Sequence, residues 1–208
     1  MPSGPGAAGD AQAGIRPDEP RDDDLEIVDD EGARKTATGA PPVAWRGPSP
    51  RRWILFAAIA ALIVLIDQAA KGWVAATLPN VGDGMQVIGD WLRIVHWRNS
   101  GALFGLLPQS ATAFALVSLG VAALIVVYHA KAGRGIVTTI ALALLLGGAI
   151  GNLLDRLNYG SVLDFVDMGI GTWRFYTYNL ADAAITTAII MLIVMAIFPR
   201  TAEWGTDA

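Results

Sequence analysis

Long runs of apolar residues alternate with short polar stretches through most of the chain. Four runs approach the length of about 20 residues that spans a bilayer. They cover Trp53 to about Ala76, Ser110 to His129, Ile136 to about Leu154, and Leu180 to Phe198. Because a segment inside a bilayer must satisfy its backbone polar groups internally, each run predicts a helix. We therefore expect an all-α membrane protein with four transmembrane helices.

The connection between the first two spans, about residues 77–109, has a different pattern. Its segment MQVIGDWLRIVHWRNSG mixes β-branched and aromatic residues, which predicts short strands. We expect a small extracytoplasmic β-rich segment between helices 1 and 2 that lies on the membrane and covers a site as a lid or cradle. Four tryptophans are expected near the interface, where indole rings are favoured: Trp73, Trp91, Trp97 and Trp173.

Composition supports a membrane protein and separates the chain into parts. Of the 208 residues, 53% are hydrophobic and 16% are charged, too apolar for an ordinary soluble domain. Residues 1–50 are acidic and poor in aliphatic and aromatic side chains, so we predict a disordered cytoplasmic tail there. Residues 51–200 form the predicted membrane domain, and 201–208 a short cytoplasmic tail. The absence of cysteine excludes disulfides, thiolate metal sites and cysteine nucleophiles.

Lysine and arginine near the span ends predict the orientation. They precede the first span, fill the link between the second and third, and follow the fourth: Arg46, Arg51, Arg52, Lys131, Arg134 and Arg200. These places are therefore expected in the cytoplasm, together with both termini. The opposite side also carries four arginines, so the asymmetry is small: Arg93, Arg98, Arg156 and Arg174.

Polar side chains collect toward the extracytoplasmic ends of the spans. A charge at the centre of a membrane helix costs roughly 2.5–3.5 kcal/mol on insertion scales, so its presence needs a reason. In this topology the polar residues of these segments lie at a similar depth in the membrane: Asp67, Lys71, Asn152, Asp155, Arg156, Asp164, Asp167, Asn179 and Asp182. Convergence at one depth predicts a functional site near the outer membrane surface.

Each of these residues also has a simpler interpretation. Asp67 and Lys71 are four residues apart, the spacing of an ion pair on one helix face. Asp182 is equally typical of a first-turn carboxylate favoured by the helix dipole. Asp155 and Asp167 are assigned helix or loop stabilisation by default. The glycines of LLLGGAIGN favour close helix packing over a phosphate-binding loop.

The available chemistry is narrow. His96 and His129 are predicted on opposite sides of the membrane, so we expect no metal site, and the remaining catalysts are carboxylates or Ser100 with Lys71. Two carboxylates in one site cannot both ionise cheaply, so the pair offers an acid and a base for attack by water on an amide. Asp164 and Asp182 are the best candidates, because the chain between them is long enough to return to the same place.

The same residues allow two alternative interpretations from other classes of protein. A small transporter or channel subunit would use intramembrane Asp and Lys as a relay, and would place polar groups at several depths. The second and fourth spans contain none deep inside, which counts against it. A purely structural membrane anchor would not need its aspartates.

Five blocks together resemble the lipoprotein signal peptidase (signal peptidase II) family of the bacterial cytoplasmic membrane. In chain order they are IDQAAK at 66–71, RNSGALFG at 98–105, GGAIGNLLDR at 147–156, VLDFVD at 162–167 and YNLADAAIT at 178–186. One block alone is a weak signal, but five in order are specific. The resemblance covers about residues 52–199 and not the acidic tail. Tyr178 stands where phenylalanine is common, and Leu103 where alanine is.

The resemblance implies a function and a set of residue roles. Asp164 and Asp182 match the catalytic aspartates. The residues that line the site and hold the substrate backbone are matched by Asn99, Asn152, Arg156 and Asn179. A supporting block on the first helix is matched by Asp67, Gln68 and Lys71. The implied reaction removes the signal peptide from a diacylglyceryl-modified prolipoprotein, just before the lipidated cysteine. The implied partners are this substrate and membrane lipid, for a monomer without cofactor, metal or nucleic acid.

Overall fold

The computed structural model describes residues 47–100, 111–133 and 135–205. Within these ranges four helices are long and apolar enough to cross a membrane, which confirms the four predicted spans. They are α1 (Pro50–Thr77), α2 (Ala111–Ala132), α3 (Ile136–Tyr159) and α4 (Leu180–Ile197). A 3-10 helix, Pro199–Glu203, follows α4. The predicted acidic tail lies almost wholly outside the described residues, as do the end of the predicted lid and the last residues of the C-terminal tail.

Helix α3 is the central helix of the bundle. It packs against α1, α2 and α4. In an apolar stretch of 18 residues, 56% of α3 is buried, against 17% to 22% in the other three helices. Its glycines allow this proximity: a Cβ on Gly147 would lie 2.8 Å from the carbonyl oxygen of Ala60 in α1, and one on Gly148 would lie 2.5 Å from that of Ala181 in α4. Small residues let membrane helices approach closely, as the sequence predicted.

A four-stranded antiparallel sheet, in the order β1-β2-β3-β4, lies in the two connections on one side of the bundle. Strands β1 (Gly84–Ile88) and β2 (Leu92–Asn99) follow α1, as predicted. Strands β3 (Val162–Ile170) and β4 (Trp173–Arg174) come from the connection between α3 and α4. The predicted β-rich segment between helices 1 and 2 therefore supplies two of the four strands, and β2 pairs with β3 across the two connections.

The sheet is anchored on the end of α1. Leu163 and Phe165 of β3 are buried against Val74 and Leu78 in one apolar cluster. The chain reverses from α3 into β3 at Gly160, whose φ of 68° lies in the left-handed region that glycine adopts without steric cost. This reversal returns β3 directly over the helix ends and sets the position of Asp164.

Candidate active site

Asp164 and Asp182 come from different elements and meet at Asn179. Asp164 lies in β3, and Asp182 lies in the first turn of α4. The side-chain amide of Asn179 donates to Asp164 Oδ1 at 2.6 Å, while its Oδ1 accepts from the backbone N–H of Asp182 at 2.9 Å. The carboxylate of Asp182 accepts in turn from the backbone N–H of Asn179 at 3.2 Å, which completes a reciprocal cap on α4. The cap thus fixes the carboxylate of Asp182, and the side chain of Asn179 also holds the carboxylate of Asp164.

Asn152 of α3 links this pair to the bundle. Its Nδ2 donates to Asp182 Oδ1 at 2.7 Å. Its Oδ1 accepts from Asn179 Nδ2 at 3.2 Å and from Lys71 Nζ at 3.2 Å. The amide therefore has partners on both its oxygen and its nitrogen, which fixes its orientation.

Lys71 lies between two carboxylates in a buried ionic cluster. Its Nζ is 2.7 Å from Asp67 Oδ2 and 3.0 Å from Asp155 Oδ2, and the three side chains are at most 4% exposed. Gln68 Nε2 donates to Asp155 Oδ1 at 3.0 Å. The simple helix-face ion pair expected from spacing alone is thus part of a larger cluster, in which buried charges are paired as their desolvation requires.

The two carboxylates of this cluster also hold the backbone beside the candidate dyad. Asp155 Oδ2 accepts from the N–H of Leu163 at 3.0 Å, and Asp67 Oδ1 accepts from the N–H of Ala181 at 3.0 Å. Each bond lies one residue before Asp164 or Asp182. The sequence left Asp155 without a role in the site, although its spacing from Asn152 already placed both on one face of α3.

Asn99 reaches Asp164 from the other side. It ends β2, and its Nδ2 donates to Asp164 Oδ2 at 3.0 Å and to Tyr176 Oη at 2.7 Å. Tyr176 was not among the predicted site residues, since no motif or spacing in the sequence marks it. The structure therefore brings Asn99, Asn152, Asn179 and both aspartates into one hydrogen-bonded group and adds Tyr176.

Arg156 lies near the site and also reaches toward α2. Its Nη1 donates to the carbonyl oxygen of Asn152, one turn earlier in α3, at 3.1 Å, and its guanidinium lies 5.8 Å from the ring centroid of Phe114 in α2. It lines a cavity of about 400 Å³ together with Leu116 and Leu153. The negative charges of Asp182, Asp155 and Asp164 also act on its guanidinium, so Arg156 lies between the site and α2.

A cavity of about 880 Å³ lies beside the dyad, between the sheet and α4. Its lining is mostly apolar and includes Trp91, Phe175, Tyr176, Tyr178, Asp182 and Thr186. Mostly apolar cavities with a few polar groups are typical of small-molecule sites. Asn99 and Asp182 are among the polar residues of this lining.

Burial changes the proton affinity of Asp164. Its side chain is 1% exposed, and this burial raises its pKa, while the hydrogen bond from Asn99 lowers it. The negative charge of Asp182 raises the pKa again, and Asn179 and Lys71 lower it, with a net value of about 6. Asp164 thus binds a proton more readily than an ordinary aspartate.

Asp167 belongs to the sheet and not to the hydrogen-bonded group of the dyad. It accepts hydrogen bonds from Arg174 Nε at 2.6 Å and Arg93 Nε at 2.9 Å. Burial raises its pKa, but the hydrogen bonds and positive charges of these arginines outweigh that effect and lower it. Arg174 also pairs with Asp90 at 3.2 Å. These contacts support the default assignment of Asp167 to structural stabilisation.

Comparisons with known proteins identify relatives over most of the chain. Residues 59–198 match a sequence model described as Signal peptidase (SPase) II. The chain is 38% identical over 151 residues to the lipoprotein signal peptidase of Geobacillus kaustophilus (strain HTA426), covering 72% of this chain and 97% of that one. It is 34% identical over 137 residues to that of Staphylococcus aureus (strain Newman), covering 65% and 83%. The alternative of a transporter or channel subunit has no support among these relatives.

Solved structures agree with the sequence matches. A bacterial membrane enzyme determined by the in meso method at 2.3 Å resolution has a TM-score of 0.65 and 29% identity, covering 78% of this chain and 98% of its own. A second bacterial membrane enzyme, determined at 1.9 Å, has a TM-score of 0.64 and 31% identity, covering 73% and 96%. With four helices able to span a membrane and a family model that matches most of its length, this multi-pass membrane protease belongs to the signal peptidase II family.

Proposed function

We propose that the protein is an aspartic endopeptidase that removes the signal peptide from diacylglyceryl-modified prolipoproteins, cutting just before the lipidated cysteine. The relatives named lipoprotein signal peptidase support the substrate class. The observation that carries the aspartic mechanism is the pair Asp164 and Asp182, joined through Asn179 beside an apolar cavity.

The unlike surroundings of the two aspartates divide their roles. Asp164 is the acid, because its raised pKa favours a retained proton. Asp182 is the base, because two carboxyl groups in one site share a proton, and the member without it is the one that can take a proton from water. Asp182 lines the cavity and therefore has access to a water molecule held beside the substrate.

The reaction follows from these assignments. Asp182 takes a proton from the water while the water oxygen attacks the carbonyl carbon of the scissile bond, and Asp164 gives its proton to the carbonyl oxygen. The resulting tetrahedral diol collapses as Asp182 returns its proton to the leaving nitrogen and Asp164 recovers its own from the hydroxyl. Both carboxyl groups regain their starting states, so no cofactor or metal is needed.

The cavity suits a lipid-bearing substrate. Acyl chains stay in the bilayer, so the scissile bond of such a substrate lies close to the membrane surface, and the catalytic groups are needed at that depth. The aromatic side chains beside the sheet and the face of α4 that lines the cavity would cover the substrate, with Asn99 beside its backbone. Asn179 and Arg156 keep the backbone-binding role that the resemblance implies.

The supporting cluster has a positioning role in this proposal. Its members do not line the cavity: Asp67, Gln68, Lys71 and Asp155. They hold Asn152 and the backbone next to each aspartate of the dyad. We place the protein in the bacterial cytoplasmic membrane as a monomer, with both termini in the cytoplasm and the site near the extracytoplasmic face. Membrane lipid surrounds it and presents the substrate.

One assay tests the proposal. The purified full-length protein is incubated with a lipidated prolipoprotein, and cleavage by wild type is compared with that by Asp164→Asn, Asp182→Asn and Ser100→Ala. Acid–base groups contribute about 10²- to 10⁴-fold, so both aspartate variants should lose at least about 100-fold while still inserting in membranes. Asp83→Asn, in a turn before β1, is the matched control.

Three outcomes contradict the proposal. Retained activity in either aspartate variant removes the dyad. Loss in Ser100→Ala with retention in Asp164→Asn supports the serine and lysine alternative instead. Equal cleavage of a precursor that lacks the diacylglyceryl group contradicts the proposed preference for a lipidated substrate.

A further inference from the structure

Tyr176 lies at the edge of the catalytic cavity and contacts the site through its hydroxyl group. It sits in the short connection between β4 and α4, its side chain is 68% exposed, and its ring lines the cavity. Its Oη accepts from Asn99 Nδ2 at 2.7 Å. A tyrosine that only filled space would not need this bond.

The bond matters because Asn99 uses the same nitrogen twice. A side-chain amide carries two hydrogens on nitrogen, so Nδ2 can donate one to Tyr176 and one to Asp164 Oδ2, which lies at 3.0 Å. The phenol oxygen and the carboxylate therefore hold the two hydrogens of one amide nitrogen from two sides.

We propose that Tyr176 is a positioning residue, whose phenol oxygen holds the Asn99 amide in the orientation that hydrogen-bonds Asp164. This inference rests on the proposed function, because it assigns Tyr176 to the same acid and base pair. Since the ring also lines the cavity, a bound substrate would pack against the side chain that fixes Asn99.

The contact with Asn99 gives Tyr176 a measurable effect on Asp164. The hydrogen bond from Asn99 lowers the pKa of Asp164, so a looser Asn99 leaves that pKa higher. The charged groups that act on Asp164 are Lys71 of α1, Arg156 of α3 and Asp182 of α4, and no test variant changes them. In the proposed mechanism Asp164 acts when protonated, so a higher pKa extends activity to higher pH.

The test compares Tyr176→Phe with wild type in cleavage of the lipidated prolipoprotein across pH. The ring is kept and one hydrogen bond is lost, so kcat should fall by about 3- to 10-fold with little change in KM. The alkaline limb of the kcat/KM profile should move to higher pH. Tyr128→Phe is the control, because Tyr128 is half exposed on α2 and outside the site, and it should behave as wild type.

A double-mutant cycle tests whether Tyr176 acts through Asn99. Once Asn99→Ala has removed the amide, adding Tyr176→Phe should change neither kcat nor the alkaline limb. Additive losses overturn the inference. A rise in KM with an unmoved alkaline limb also overturns it, and assigns Tyr176 to substrate binding.

A titration separates this inference from the proposed function. The Asp164 carboxyl signal is followed by NMR in protein labelled with ¹³C-aspartate and is assigned by its loss in Asp164→Asn. Tyr176→Phe should raise the Asp164 pKa whether or not the protein cleaves the chosen prolipoprotein. An unchanged pKa contradicts the inference, while a wild type without cleavage contradicts only the proposed function.

Discussion

At the residue scale, two aspartates of one site differ because their surroundings differ. Asp164 is enclosed between β2 and α4, and Asp182 lies at the open end of a helix that lines the cavity. Like charges in one site disfavour double ionisation, and burial decides which member keeps the proton. In the proposed mechanism this difference in burial gives the acid role to Asp164 and the base role to Asp182.

The pH dependence of activity follows from this difference. The proposed mechanism requires Asp164 in its protonated form, and its pKa is raised to about 6, so kcat/KM should decline as pH rises through and above about 6. Asn99→Ala removes a hydrogen bond that lowers this pKa, so the decline should begin at higher pH. Initial rates across pH measure both, with constant detergent and ionic strength. A decline that begins at lower pH in Asn99→Ala would contradict the assignment.

At the element scale, the sequence predicted what is local and missed what depends on distant partners. The four spans were predictable because length and hydropathy alone make a membrane helix. Strand β3 was missed because its pairing partner is β2, far away in the chain, and its two carboxylates obscure any apolar alternation. The roles of Asp155 and Tyr176 were missed for the same reason, since their partners lie in other elements.

The packing of α4 on α3 gives a prediction at this scale. Gly148→Ala would place a methyl carbon 2.5 Å from the carbonyl oxygen of Ala181, so the helices must separate. Overpacking of this kind typically costs about 1–3 kcal/mol. Thermal unfolding in detergent should show a lower Tm, and cleavage should weaken because α4 carries Asp182.

Gly120→Ala is the matched control on α2. A Cβ there meets no atom within 4 Å, and alanine favours a helix more than glycine does. Its Tm should equal or exceed that of wild type. A Gly148→Ala variant as stable as Gly120→Ala would show that the close approach is not required.

At the scale of the whole molecule, one ionic cluster joins the parts of the fold. Lys71 of α1 contacts Asp155 of α3, and the carboxylates around it hold the backbone of β3 and α4. We therefore expect stability and the geometry of the candidate site to depend on the same buried charges. Loss of the single cation would leave two buried carboxylates without their counterion.

Lys71→Met tests this dependence. Breaking a buried ion pair by removing one partner costs about 3–5 kcal/mol, so the variant should unfold at a much lower temperature and lose cleavage. Lys131→Met, at an exposed position near the end of α2, should change Tm little. Thermal unfolding of both variants in the same detergent provides the comparison, and equal Tm values would refute the role of the cluster.

The pairing of β2 with β3 has a mechanical consequence. It joins the first and second halves of the chain by a route separate from the short link between α2 and α3, so α1, α3 and the sheet form a closed ring. Such a ring cannot open at one point unless the hydrogen bonds between two strands break or a helix bends. We therefore expect a bulky substrate to enter beside β4 and the aromatic residues after it, and not between β2 and β3.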